Sequence, residues 1–346
     1  MATVTGIVAA DERIGHTGRL RRLFTRPELG AVVGALVMFA FFAAIAPVFL
    51  QPSSISTVLY GSSTIGIMAV GVSLLMIGGE FDLSAGVAVI TASLTAALLS
   101  WSFSSNVWVG VILSLVVALS IGALNGWILV KTKLPSFIVT LATFLMLAGL
   151  NLAVTRLVSG AVASPSIRDL DGSALAATIF AADIPILGVP VKVTLFIWIA
   201  MVLVASYILV RTRVGNWIFA VGGDANAARA VGVPVAKVKI GLFMGVSFCA
   251  WVAGMHNLFA FNVVQSGEGV GNEFLYIIAA VIGGCLLSGG YGSAIGGAIG
   301  AFIFGMANKG IIYAQWNPDW FKFFLGLMLL LATIINLVVK RRAEHK

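Results

Sequence analysis

Beyond residue 28 the chain alternates between apolar runs and short polar or glycine-rich breaks, and most runs approach the ~20 residues that a helix needs to cross a bilayer. Read in order, the runs predict helices over about 29–49, 58–77, 85–101, 107–131, 135–158, 193–210, 240–261, 274–287, 295–313 and 321–339. Backbone polar groups in hydrocarbon must be satisfied within the segment. The expectation is therefore an all-α, polytopic membrane protein with about ten transmembrane helices.

The breaks carry their own information. Gly78-Gly79-Glu80-Phe81-Asp82-Leu83-Ser84 separates the second run from the third, 265–272 is a glycine-rich polar turn, and Asn317-Pro318-Asp319 marks the last turn. The longest connection, 159–192, holds Asp169, Asp171, Asp183, Pro165, Pro185 and Pro190, and is long enough to serve as an extracytoplasmic docking surface. Gly78-Gly79 with Leu83-Ser84-Ala85-Gly86 is echoed by Gly283-Gly284 with Leu287-Ser288-Gly289-Gly290. Transporters are often built from repeated halves, but these two copies run in the same direction, so the echo does not by itself show an inverted repeat.

Between the sixth and seventh runs lies a small, polar, alanine-rich segment, 222–234. Asp224 is a good N-cap, Ala227 and Ala228 favour helix, Gly232 can take the left-handed closing conformation and Pro234 stops the helix. The segment reads as a short helix outside the bilayer against which something else presses.

Charge sets the expected orientation. Lys131, Lys133, Arg211, Arg213, Lys237, Lys239 and the run from Lys340 to Arg342 end apolar stretches, and alternating spans bring them all to one side if the tail 1–26 is inside. Both termini, including the tail 341–346, are then cytoplasmic, with 27–340 as the membrane domain. Arg156, Arg168, Lys192, Lys309 and Lys322 fall on the other side, where long loops weigh little and basic side chains near span ends can snorkel. Ala44-Ile45-Ala46 resembles a signal-peptidase site, but it ends a full-length run and precedes Pro47, so a retained helix is expected.

Composition agrees with the pattern. With 60% hydrophobic residues, 10% charged and a mean hydropathy of +1.07, the chain is not an ordinary soluble domain. Its net charge of +8 is dispersed in clusters at span ends rather than in one stripe, which argues against nucleic acid. Cys249 and Cys285, the only cysteines, lie within apolar runs and suit packing.

No phosphate-cradling Gly-x-x-x-x-Gly-Lys-[Ser/Thr] loop and no His-Glu-x-x-His is present, and His16, His256 and His345 are scattered. No catalytic or metal site is expected, and energy for uphill work must come from outside this chain. Glu80 and Asp82 admit two readings: a cytoplasmic turn in which Asp82 or Ser84 caps the third helix, or a broken helix lining the route. Asn125, Asn151, His256 and Asn257 interrupt apolar runs and suit either interhelical hydrogen bonds or contacts to a hydroxyl-bearing solute. Gly292, Gly296 and Gly300, with Ala301 and Gly305, are spaced for close helix packing.

Several of these stretches together resemble the integral-membrane permeases of the ribose/xylose/arabinose class of ATP-binding-cassette importers. The resemblance rests on Gly78 to Gly86, on Leu124-Asn125-Gly126 with Pro135-Ser136-Phe137-Ile138-Val139-Thr140-Leu141-Ala142-Thr143, on Gly222-Gly223-Asp224 with Ala227, Ala228, Arg229 and Gly232, and on Gly283-Gly284 with Leu287 to Gly290. It covers nearly the whole chain after the tail. Arg229 is followed here by Ala-Val rather than the commoner Leu-Ser.

The resemblance implies a bacterial inner-membrane permease that pairs with a second copy or a paralogue. It also implies an extracytoplasmic solute-binding protein and a cytoplasmic ATPase that holds ATP and Mg and contacts the coupling helix from Asp224 to Val231. The chain itself would need no cofactor. Alternating access is the expected mechanism and a monosaccharide or related polyol the expected cargo. An ion- or proton-coupled carrier relying on Glu80 and Asp82 is the alternative, and an intramembrane enzyme lacks paired catalytic groups.

Overall fold

The computed structural model describes residues 28–344, so the expectations for the tail 1–26, for His16 and for His345 lie outside the described residues. Among the described residues the regular structure is helical apart from one hairpin. Helix α1 (Glu28–Ile45) ends in a single 3-10 turn (Pro47–Leu50), and α2 (Pro52–Ile77) starts at once on Pro52, a residue suited to the first helical position. After the first break come α3 (Ala85–Leu99), closed by a π turn (Ser100–Ser104), then α4 (Val107–Thr132) and α5 (Ser136–Ser159). Asn106 caps α4 by accepting from the amide of Trp108 at 2.9 Å.

The 159–192 connection is more structured than its sequence suggests. It holds a short helix, α6 (Ser173–Phe180), and an antiparallel hairpin of β1 (Asp183–Ile186) and β2 (Val189–Lys192) that pairs Asp183 with Lys192 and Ile186 with Val189. Leu187 and Gly188 both take positive φ, +50° and +81°, the two-residue turn that matches strand twist.

Helix α7 (Val193–Arg211) is followed by two short helices, α8 (Arg213–Gly223) and α9 (Ala225–Ala230), and then by α10 (Val235–Phe261). The remaining elements are α11 (Asn272–Ile282), α12 (Ala294–Tyr313) and α13 (Trp320–Glu344). Helix α10 lies against α2, α3 and α4, while α12 fits between α2 and α11. Helices α2, α3, α10 and α12 are largely buried, whereas α1, α4, α5 and α7 expose apolar faces through residues such as Leu36, Ile112, Leu145 and Leu203.

Two expectations are corrected. The helix predicted over 274–287 stops at Ile282, because the chain turns at Gly283 and Gly284. Its 11 residues extend about 16 Å, roughly half a bilayer core. Eight described helices are long and apolar enough to cross a membrane, with α11 and the apolar part of α13, Trp320–Ile334, as shorter additions. Lastly, the stretch after Arg211 forms α8 as well as the expected short helix.

Candidate coupling and transport site

Local chemistry forms α9 much as its residues dictate. The Asp224 carboxylate accepts from the amides of Asn226 at 2.8 Å and Ala227 at 3.1 Å. At the other end Gly232, at φ +87°, and Val233 donate to the carbonyls of Arg229 and Ala228 at 3.0 Å each, a Schellman closure. Ala228 turns into the bundle, while Asn226, Ala227, Arg229, Ala230 and Val231 face outward. Val231 is 80% exposed, an apolar side chain at the rim of a charged surface.

Beneath α9 lies a junction made of backbone. The first break closes α2 with Gly79 and Glu80 donating to Met76 and Leu75, at 2.9 and 3.2 Å. The second closes α11 in the same way, Gly284 and Cys285 donating to Val281 and Ala280 at 2.9 and 3.0 Å. Gly79 and Gly284 occupy the same left-handed position, φ +83° and +95°, so the faint sequence echo corresponds to one repeated helix ending. The breaks then meet: the amide of Gly290 donates to the carbonyl of Ile77 at 2.8 Å.

Gly222, the penultimate residue of α8, fills the remaining space. A Cβ on it would lie 1.8 Å from the Ile77 oxygen and 2.7 Å from the Gly290 nitrogen. A Cβ on Gly289 would lie 2.6 Å from the Gly79 Cα. Backbone approaches this close require glycine.

The carboxylates and amides marked in the sequence divide into two groups. Glu80 pairs with Lys239 of α10. Asp82 is buried, and one carboxylate oxygen accepts from the Ser84 amide at 2.8 Å and the Ser84 hydroxyl at 2.5 Å. Asn125 donates to the Ser84 Oγ at 3.2 Å and accepts from Thr143 at 2.6 Å, while the amides of Phe81 and Leu83 donate to Ser136 and Thr140 at 3.1 Å each. Asn151 reaches the Val87 carbonyl at 3.5 Å. Together these bonds tie the extended part of the first break to α4, α5 and α10.

His256 and Asn257 belong to the other group. They sit towards the far end of the bundle, in the wall of a cavity of about 400 Å³. Tyr60 and Thr64 of α2, Asn272 and Tyr276 of α11, Asn308 and Lys309 of α12 and Phe321 of α13 also line it. His256 Nδ1 lies 2.8 Å from the Phe180 carbonyl, which can only accept, so this nitrogen carries the proton. Its Nε2 lies 3.0 Å from the Tyr60 hydroxyl, which can donate or accept there. The ring thereby fastens α6 to α2 and α10.

Tyr60, Thr64, Asn272, Asn308 and Lys309 were not singled out as lining residues from sequence. The adjacent Asn308 and Lys309 within an apolar run were the available signal. Among the described residues no group of three or more His, Cys, Asp or Glu side chains is placed to hold a metal ion.

Residues 54–333 match the family described as branched-chain amino acid transport system / permease component. The ribose import permease protein RbsC of Escherichia coli K12 is 31% identical over 322 residues, which cover 91% of this chain and 96% of the relative. The probable ABC transporter permease protein YphD of the same organism is 29% identical over 319 residues, 92% and 91% of the two chains. The xylose transport system permease protein XylH, also from that strain, is 29% identical over 353 residues, 85% and 87% of the two chains. No solved structure matches.

Proposed function

The chain belongs to this family of transport-system permease components, and from that premise we propose that it moves a monosaccharide or related polyol inward by ATP-driven alternating access. It is a transport subunit of the inner membrane rather than an enzyme. The cargo reading is supported by relatives named for ribose and xylose, and by a cavity that offers amides, a hydroxyl and aromatic faces.

In the proposed arrangement the end bearing Lys131, Lys133, Arg211, Arg213, Lys237 and Lys239 faces the cytoplasm, as do both termini. The short α11 and the apolar part of α13 then complete ten membrane-inserted segments. A partner ATPase, holding ATP and Mg, presses on the exposed side of α9. A solute-binding protein docks at the opposite end, over α6 and the hairpin, and a second permease copy or paralogue lies beside the bundle.

One observation carries the mechanism: two of the elements that meet at the Gly222 junction lead into walls of the cavity. Gly222 touches the end of α2 and the loop leading into α12, and these two helices carry Tyr60, Thr64, Asn308 and Lys309. Displacing α9 and α8 would tilt both helices about their broken ends. Thr64 lies 13 residues from Ile77, about 20 Å along the helix, so a small rotation at the junction becomes a larger displacement at the cavity.

The ion-coupled alternative has less to work with, since Glu80 is paired with Lys239 and Asp82 is bonded to Ser84. The test is reconstitution with the cognate ATPase and binding protein. Arg229→Ala should abolish ATP-dependent uptake while leaving the permease folded, and uptake that persists at the wild-type rate would overturn the coupling assignment.

A further inference from the structure

Lys309 is a cation in the wall of the cavity with no anion in ion-pair contact among the described residues. It lies four residues before the end of α12 at Tyr313, is half-buried, and its Cε runs 3.6 Å from where a Cβ on Gly61 would be. Glycine at that position leaves room for the lysine stem to lie across α2. The ion pairs among the described residues, Lys192 with Asp183 and Lys239 with Glu80, use other lysines. Glu273 on α11 turns its carboxylate to the amide of Gly271, and no carboxylate lines the cavity among the described residues.

A half-buried amine left without a counter-charge is costly to hold, and amides or hydroxyls can bind a neutral sugar without one. Resting on the cargo reading of this cavity, we propose that the solute is a sugar acid, whose carboxylate is received by Lys309 while its hydroxyls meet Asn257, Asn308, Thr64 and Tyr60. A single lysine matches a single negative charge. Lys192, 6.0 Å from the Tyr60 ring, is matched by Asp183, which leaves Lys309 as the uncompensated cation of the wall among the described residues.

The test compares D-glucuronate with D-glucose, which share a ring and differ at one carboxylate, by saturation-transfer NMR on the full chain in phosphatidylcholine nanodiscs. Glucuronate should bind about tenfold more tightly, as a charge-assisted hydrogen bond warrants. Lys309→Gln should bring the two affinities together and Lys309→Arg should keep them apart. The ratio is read within one preparation, so partial loss of folded protein does not alter it.

Equal affinities in the wild type, or a preference that survives Lys309→Gln, would overturn the proposal. So would retention of phosphatidylglycerol that is lost in Lys309→Gln without any change in glucuronate binding, since the amine would then serve a lipid headgroup. In the assembled importer, Asn257→Ala separates this proposal from the reading beneath it. Uptake that responds to Asn257→Ala without any anion preference removes only the sugar-acid assignment. Uptake indifferent to Asn257→Ala removes the cavity as the route, and the assignment with it.

Discussion

The amide of Gly290 donates to the carbonyl of Ile77 over 2.8 Å, joining the ends of two broken helices that are far apart in sequence. Gly222 lies against this bond from a third element, so the base of the coupling segment and both breaks share one small volume. Side chains are excluded there, and contact between three backbones leaves little slack to absorb a displacement.

The junction distinguishes two neighbouring glycines that look alike in the sequence. A Cβ at Gly222 would collide with the Ile77 oxygen at 1.8 Å, whereas one at Gly223 meets nothing within 4 Å. Gly222→Ala should destabilise the protein by about 1–3 kcal/mol and Gly223→Ala by less than about 0.5 kcal/mol. Thermal unfolding followed by dye labelling of the two buried thiols, Cys249 and Cys285, reads both variants. Equal melting temperatures would show that the junction is looser than these distances indicate.

The Asn125 network makes a second case. Removing its side chain leaves the Thr143 hydroxyl with the Val139 carbonyl at 3.1 Å and the Ser84 hydroxyl with Asp82 at 2.5 Å, so the two lost bonds should cost about 1 kcal/mol. In a double-mutant cycle Asn125→Ala and Thr143→Val should be non-additive by about 0.5 kcal/mol or more. Additive effects would mean that the bond contributes nothing to stability.

What was readable in the sequence follows from how local each feature is. Asp224 and Gly232 act within a few residues of themselves, so the ends of α9 could be read from spacing alone. Gly78-Gly79 stood out because the acids Glu80 and Asp82 follow it. Gly283-Gly284 hides in an apolar window that hydropathy carries on to Leu287, and only the backbone shows that α11 has ended. The cavity was least legible, since Tyr60, Asn257, Asn272 and Lys309 come from four helices and only the packing brings them together. Lys309, taken alone, looks like a lysine near a span end.

The Glu80–Lys239 pair should be worth little as a pair and much as a balance of charge. Both side chains are mostly shielded, 10% and 18% exposed, so removing one leaves the other partly buried and uncompensated. Either Glu80→Gln or Lys239→Gln alone should cost about 3 kcal/mol or somewhat less, and the double variant should recover much of that loss. Chemical denaturation of the purified permease in mild detergent measures all three. A double variant as unstable as the sum of the singles would remove the argument.

His256 should matter most to the element it fastens. Its bond to the Phe180 carbonyl is a specific polar tether between α10 and α6, so His256→Phe should raise hydrogen exchange at the end of α6. Tyr60→Phe removes only the second bond and should leave α6 protected. Exchange that rises throughout the bundle, rather than over 176–182, would indicate general loosening instead of a released tether.

Asp224 can be made to separate the shape of α9 from its charge. Its carboxylate caps the helix by accepting two backbone amides, a role that asparagine fills almost as well and alanine does not, with about 0.5–2 kcal/mol at stake. If the partner ATPase needs a formed helix, Asp224→Ala should weaken its association with the permease and Asp224→Asn should not. Equal weakening by both would mean that the negative charge itself meets a cation on the partner. Co-purification of the ATPase with each variant, together with ATP-dependent uptake by the same complexes, decides between a structural cap and a contact residue. The cap is the expected outcome, because both hydrogen bonds are local to α9 and a helix of 6 residues has little stability of its own to hold that shape.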